Sequence, residues 1–180
     1  MLKYFLLSAV GTFCSLVICC SQAKAAALGG ELPNPAFTPC ANDPAVVRIV
    51  TKEELCSTKT STIRNVTATE KKLVFMEYGL PYNDKSVCAK GYEVDHCCSL
   101  ELGCNNDIHN LWPQSYCGQI LGFDANGDPI LDKWNATTKD KLENELHREI
   151  CSGRITIQAA QKCISTNWIE CYKETFREEE

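Results

Sequence analysis

The chain has 180 residues, of which 44% are hydrophobic and 23% are charged, and its formal net charge is −5. This length suits one globular domain with its own core and is short for two. The negative balance excludes the strongly basic surface by which tight nucleic-acid binders attract phosphates, so any nucleic-acid substrate is expected to bind weakly and with low specificity.

Residues 1–25 have the pattern of an export signal. Lys3 is followed by an apolar run that ends near residue 20, and Ala23 and Ala25 fit the small-residue rule for a signal-peptidase site. The alternative is a membrane anchor, but the run is shorter than the roughly 20 residues that a spanning helix needs. We therefore predict a signal peptide, a secreted or periplasmic location, and no membrane association after its removal.

The cysteine content points to the same compartment. Ten of the thirteen cysteines follow residue 25, and an even number in an exported chain predicts disulfides. A zinc site is the alternative, but Cys97, Cys98, Cys104 and Cys117 lack the Cys-x-x-Cys spacing of thiolate zinc sites. Cys97 and Cys98 are expected to bond to different partners, because a disulfide between neighbouring residues would close a strained ring.

The first elements of the chain are marked by prolines and by a helix cap. Residues 26–50 contain four prolines, which predicts an extended leader held by Cys40. Thr67 and Glu70 have the spacing of a capping box, which predicts a helix that runs to about Tyr78.

The middle of the chain alternates apolar and polar residues. The stretches 91–95 and 99–103 predict a short hairpin or bent ribbon whose turn holds an Asp-His pair. Residues 104–116 predict an ordered loop with little regular structure. The dipeptide Asn126–Gly127 predicts a turn between apolar flanks.

The last third of the chain predicts helices. A cap at Thr137 or Thr138 begins a helix that Gly153 ends. Its apolar residues recur every four positions, at Leu142, Leu146 and Ile150. Thr156 is predicted to start a further helix.

Three segments together carry a pattern with chemical meaning: Tyr-Glu-Val-Asp-His at 92–96, Asn-Leu-Trp-Pro at 110–113, and Lys-Asp-Lys-Leu-Glu-Asn-Glu-Leu-His at 139–147. In this order they resemble the HNH endonucleases with a ββα-metal site, especially small exported bacterial members. The similarity runs from about Lys52 to Tyr172 and implies a nuclease domain at 51–177. It implies an α+β fold, in which a small ββα-metal core carries additional helices and is stapled by disulfides.

The resemblance also implies roles for the residues of these segments. His96 would be the general base and Asp95 a metal ligand, with His147 as the second ligand. Asn110 would either ligate the metal or hold the His96 ring by a hydrogen bond. Oxygen ligands favour Mg²⁺ as the cofactor, with Mn²⁺ or Zn²⁺ as alternatives. An unperturbed imidazole pKa of about 6.5 would suit a general base at neutral pH.

Other residues of the matching region are expected to assist. Glu143 lies one helical turn before the predicted ligand His147, and Lys139 and Arg148 are candidates for phosphate contacts. Asn135 is a further candidate ligand at the helix start.

The cysteines both follow and depart from the family pattern. Cys56 and Cys151 stand where the resembling proteins also carry cysteine, which implies that they pair. Cys97, Cys98 and Cys104 stand where those proteins carry other residues. A thiolate ligand from this group would favour zinc over magnesium.

These observations predict a secreted or periplasmic, monomeric, metal-dependent endonuclease that cleaves DNA, with RNA as an alternative substrate. The alternative function is a non-catalytic, cysteine-rich exported binding or toxin-like protein on a decayed nuclease scaffold. The acidic balance and the extra cysteines motivate that alternative.

Overall fold

A computed structural model describes residues 31–40, 43–83, 85 and 88–178. They form five helices and four short strands, so the predicted α+β class is confirmed. The helices are α1 (Lys52–Ser57), α2 (Thr60–Ile63), α3 (Ala68–Glu77), α4 (Ala136–Ser152) and α5 (Ile157–Phe176). The strands are β1 (Tyr92–His96), β2 (Leu111–Ser115), β3 (Ile120–Phe123) and β4 (Pro129–Leu131).

The predicted signal peptide at 1–25 lies outside the described residues. Within the described ranges, none of the helices combines the length and the apolar character that a bilayer span requires.

Helix α3 begins at the predicted capping box. The Thr67 hydroxyl accepts from the Glu70 amide at 3.2 Å, and the Glu70 carboxylate accepts from the Thr67 amide at 2.7 Å. After α3, Gly79 adopts a left-handed φ of 67°, which reverses the chain. The helix buries Val74 and Phe75.

The ribbon that carries the Asp-His pair differs from the prediction. Strand β1 pairs in antiparallel fashion with β2, where we expected a loop, and not with 99–103. The segment Leu100–Leu102 is instead a 3-10 turn. The alternation of apolar and polar residues identifies a strand but not the strand with which it pairs. Pro113 favoured the prediction of a loop. Both strands of a two-stranded ribbon are edge strands, so Pro113 is tolerated in β2 although it has no amide hydrogen to donate.

Strands β3 and β4 form a second hairpin, separate from the first. The predicted turn at Asn126–Gly127 connects them, and Gly127 has a φ of 85°. The Asp124 carboxylate accepts from the amides of Asn126 and Asp128, at 2.8 and 2.9 Å, which holds the turn closed.

Helix α4 has the predicted apolar face but a different cap. Asn135, not Thr137 or Thr138, is the N-cap, and its side chain accepts from the Thr138 amide at 3.1 Å. Gly153 ends the helix in a left-handed conformation, as predicted. The buried face of α4 packs against α5, which begins at the predicted cap Thr156.

Two apolar clusters form the core, and the chain passes from one to the other directly after the Asp-His pair. Cys98 belongs to the larger cluster, which lies between α4 and α5. Cys97 belongs to the smaller cluster around Phe75 and Trp112. The leader contributes Cys40 and Val46 to this smaller cluster, so these parts of it pack against the rest of the protein.

All ten cysteines after residue 25 pair in the structure. The predicted pair Cys56–Cys151 is confirmed, and Cys97 and Cys98 have different partners as expected. The five disulfides are Cys40–Cys97, Cys56–Cys151, Cys88–Cys117, Cys98–Cys104 and Cys163–Cys171.

Removal of the Cys56–Cys151 disulfide is expected to destabilise the protein more than removal of Cys163–Cys171. The sequence separations are 95 and 8 residues. Because the entropy of the unfolded chain falls more when a longer loop is closed, the difference is roughly 2 kcal/mol. Urea unfolding of the two paired alanine variants measures it. Equal losses for the two variants would show that loop length does not govern the stabilisation.

Candidate functional site

The candidate site lies at the end of β1, where two titratable side chains are buried side by side. Asp95 is 6% exposed and His96 is 1% exposed. Adjacent residues of a strand point to opposite faces, so the two side chains meet different surroundings. Asp95 contacts α4, whereas His96 contacts the loop that precedes β2.

A lysine from the first turns of α4 neutralises Asp95. The Lys139 ammonium donates to Asp95 Oδ2 at 2.7 Å and to the backbone carbonyl of His96 at 2.8 Å. It also donates to the carboxylate of Glu143, one turn further along α4. The side chain of Lys139 is 1% exposed, so this ion cluster is closed to solvent.

The charges of this cluster depend on each other. Burial disfavours the Lys139 ammonium, but Asp95 and Glu143 outweigh this effect and hold the pKa of Lys139 above its ordinary value. Burial acts against the Asp95 carboxylate as well, yet Lys139 keeps the pKa of Asp95 below its ordinary value.

Glu143 is the member of the cluster that is most easily protonated. Burial raises its pKa to about 7, and the Asp95 charge contributes, although Lys139 acts against the rise. The Ser99 hydroxyl donates to the second oxygen of this carboxylate at 2.8 Å. Glu143 therefore joins α4 to the segment that follows the Asp-His pair.

The imidazole of His96 is held by Asn106. The Asn106 Oδ1 accepts from the amide of Asn65 at 3.2 Å, and its Nδ2 donates to the carbonyl of Ile63 at 2.8 Å. These two bonds fix the orientation of the amide, so the 3.1 Å contact from Oδ1 to His96 Nε2 requires a proton on Nε2. The other ring nitrogen, Nδ1, is left as the proton acceptor.

His96 is neutral at ordinary pH. Burial lowers its pKa to about 4, and the positive charges of Arg64 and Lys139 act in the same direction, against Asp95 and Asn106. The expected value near 6.5 is thus corrected, since a buried imidazole beside two cations resists protonation. The expected neutral form is present over a wider pH range than predicted.

Asn110 occupies neither of its predicted positions. Its Oδ1 accepts from the Cys98 amide at 2.8 Å, and its Nδ2 donates to the carbonyls of Cys98 and Asn105 at 2.9 and 2.8 Å. The side chain is fully buried, and these bonds engage both of its polar atoms. Asn110 therefore fixes the backbone of the loop, and the ring contact predicted for it is made by Asn106.

His147 lies away from Asp95. Eight residues of helix separate it from Lys139, a rise of about 12 Å, and its Nε2 is 3.6 Å from the sulfur of Cys151. His147, Cys56 and Cys151 are the only group of three potential ligands found close enough to share an ion within the described ranges. The two sulfurs form a disulfide, which removes their thiolates.

The predicted phosphate contacts are also engaged elsewhere. Lys139 is buried in the ion cluster, and Arg148 is exposed and pairs with Glu145 and Glu149. Asn135 caps α4 with its side chain.

A divalent metal does not fit the predicted ligand set. The Asp95 oxygen binds an ammonium, the amide of Asn110 is bonded to the backbone, and His147 is roughly two helical turns distant.

The surroundings of Asp95 are acidic. Tyr116 donates its hydroxyl to Glu93 at 2.6 Å. Burial and the charge of Asp95 raise the pKa values of both Glu93 and Asp140. Arg64, which is exposed, acts electrostatically on His96 and Asp140 and is a solvent-facing cation of this region.

Sequence reasoning did not identify Asn106, Ser99 or Arg64 as site residues. Asn106 stood within a polar run that predicted only a loop, and its partners come from a segment more than 40 residues earlier. Comparisons with protein-family models, with curated proteins and with solved structures found no match to this chain.

Replacement of Lys139 by methionine is expected to destabilise the protein by about 3–5 kcal/mol, because two buried carboxylates lose their cation. Lys141→Met is the matched control, since Lys141 lies on the same helix and is exposed. Urea unfolding at pH 7 compares the two. Equal midpoints would show that the ion cluster contributes nothing to stability.

The low pKa of His96 predicts a loss of stability in acid. An unfolded histidine titrates near pH 6.5, whereas the folded pKa is about 4. Between these values the unfolded chain binds more protons, so His96 contributes stability that is present above pH 6.5 and is lost as pH falls towards 4. The unfolding free energies of wild type and His96→Asn should therefore converge as pH falls from 6.5 towards 4. A parallel pH dependence, or an NMR midpoint near 6.5 for His96, would contradict the assignment.

Proposed function

We propose that this chain is an endonuclease that hydrolyses phosphodiester bonds in DNA, with RNA as an alternative substrate, and that His96 is its general base. The observation that carries the proposal is the fixed neutral imidazole, whose Nε2 donates to Asn106 and whose Nδ1 remains a proton acceptor. A general base must be held in one orientation and unprotonated at working pH, and His96 meets both conditions in this conformation. Its pKa of about 4 also makes it a weaker base than an ordinary imidazole. Three sequence segments resemble HNH endonucleases in the same order, and this resemblance is the basis for proposing phosphodiester hydrolysis as the reaction.

In the proposed reaction, a water molecule attacks phosphorus while His96 Nδ1 takes one of its protons. The bond from phosphorus to the leaving oxygen breaks, and the leaving oxygen takes a proton from solvent. The imidazolium then returns its proton to solvent. Lys139 holds the His96 carbonyl and Asp95, so it positions the base and does not touch the substrate.

Arg64 is the proposed phosphate contact. It is exposed and lies close enough to His96 to affect the pKa of the imidazole. It replaces Lys139 and Arg148 in this role, because both of those side chains are paired with carboxylates. A guanidinium suits the recognition of phosphate oxygens by two parallel hydrogen bonds.

Substrate access requires movement of the residues over His96. The ring is 1% exposed, and Asn106 ties it to the backbone at Ile63 and Asn65. These hydrogen bonds join three separate segments at one amide. In the proposed reaction the bonds from Asn106 to Ile63 and Asn65 open to admit the attacking water, while the contact from Asn106 to His96 Nε2 is kept.

The test is a nuclease assay with supercoiled plasmid and with single-stranded RNA, in chelator and in several divalent metals. His96→Ala is expected to lower turnover by roughly 10²–10⁴-fold. His109→Ala is the matched control, because that side chain is 56% exposed and pairs with Asp43. It should retain wild-type activity.

Near-normal cleavage by a folded His96→Ala variant would rule out His96 as the base. Circular dichroism and thermal melting of each variant separate loss of chemistry from loss of fold. Loss of activity in both histidine variants would point to a general structural effect.

The second candidate is a non-catalytic, cysteine-rich binding or toxin-like protein. The burial of His96 and the closed pairing of Asp95 with Lys139 favour it, since neither group meets solvent in this conformation. The acidic residues around Asp95 also disfavour a polyanionic substrate. Purified wild type that cleaves neither nucleic acid under any of the conditions above would select this candidate.

We further propose that the protein is exported to the periplasm or the medium and acts as a monomer. The five disulfides support an oxidising compartment, where such bonds persist.

A further inference from the structure

Oxygen atoms surround the Lys139 ammonium as they would surround a bound metal cation. Its three contacts are oxygens of Asp95, Glu143 and the His96 carbonyl. Two carboxylates and a backbone carbonyl are the ligand types that hard divalent cations prefer. The side chain enters from α4 and is 1% exposed, so the cation is supplied by the chain itself.

An ammonium and a divalent metal cannot share this position. The ammonium already holds oxygens of Asp95, of Glu143 and of the His96 carbonyl, and two cations a few ångströms apart in a buried site repel each other strongly. The position of Lys139 is set by the register of α4, whose N-cap Asn135 is one turn earlier. Helix formation fixes the place of Lys139 along α4, and its bonds to Asp95 and to the His96 carbonyl hold it against the end of β1.

We propose that Lys139 is a built-in replacement for a divalent metal at Asp95, and that shortening its side chain converts the cluster into a site for Mn²⁺ or a similar hard cation. The inference concerns the same site as the proposed function but does not depend on hydrolysis. Because Lys139 supplies the cation, the wild-type protein needs no divalent metal at this position.

The first test uses wild-type protein and Mn²⁺ followed by electron paramagnetic resonance, which reports free ion. The expected result is weak binding to surface carboxylates only, unchanged by Asp95→Asn. One equivalent of Mn²⁺ bound by wild type and lost in Asp95→Asn would overturn the proposal. This readout is independent of nuclease activity, so it separates failure of the metal inference from failure of the proposed function.

The second test creates the site. Lys139→Ala should bind one equivalent of Mn²⁺ at least 10-fold more tightly than wild type, and saturating Mn²⁺ should raise its melting temperature by about 5 °C. The double variant Lys139→Ala with Asp95→Asn should lose both effects. Lys141→Ala, on the exposed side of the same helix, should behave as wild type.

A folded Lys139→Ala protein without Asp95-dependent Mn²⁺ binding would overturn the proposal. Lys139→Asn is measured in parallel, because its neutral amide oxygen can join the ligand set and help the variant to fold. Should neither variant fold, the wild-type titration decides.

Discussion

The buried ammonium of Lys139 is the interaction on which the candidate site depends. It bonds at once to a side chain of β1, to the backbone carbonyl at the end of β1, and to a carboxylate of its own helix. Without it, two buried carboxylates would face each other in a region of low dielectric constant, an arrangement that proteins avoid. The lysine therefore sets the distance between the ribbon and α4.

A second constraint acts on the chain directly after His96. Cys97 is bonded to Cys40 in the smaller apolar cluster, and Cys98 is bonded to Cys104 in the larger one. The side chain of Asn110 then closes the loop from Cys98 to Asn105 through three backbone hydrogen bonds. The backbone that follows His96 is thus anchored in both apolar clusters.

The features that could be predicted from sequence are those whose causes are local. The capping box at Thr67, the turn at Asn126–Gly127 and the stop at Gly153 each depend on a few neighbouring residues, and all three are present. The pairing of β1 with β2, the burial of Lys139 and the role of Asn106 depend on partners tens of residues away. A lysine is ordinarily a surface residue, and only the convergence of two carboxylates makes its burial favourable.

The site combines a neutral imidazole with an internal cation, and each property follows from burial. Removal of solvent lowers the pKa of His96 and, through paired carboxylates, keeps Lys139 charged. The imidazole is therefore neutral and the ammonium is paired in this conformation, without any bound ligand. Access of solvent to the ring is restricted, because the amide of Asn106 joins the imidazole to the backbone at Ile63 and Asn65. Arg64 lies between Ile63 and Asn65, the two residues whose backbone groups bond to the Asn106 amide, so the exposed guanidinium and the held imidazole are linked through adjacent residues of one segment.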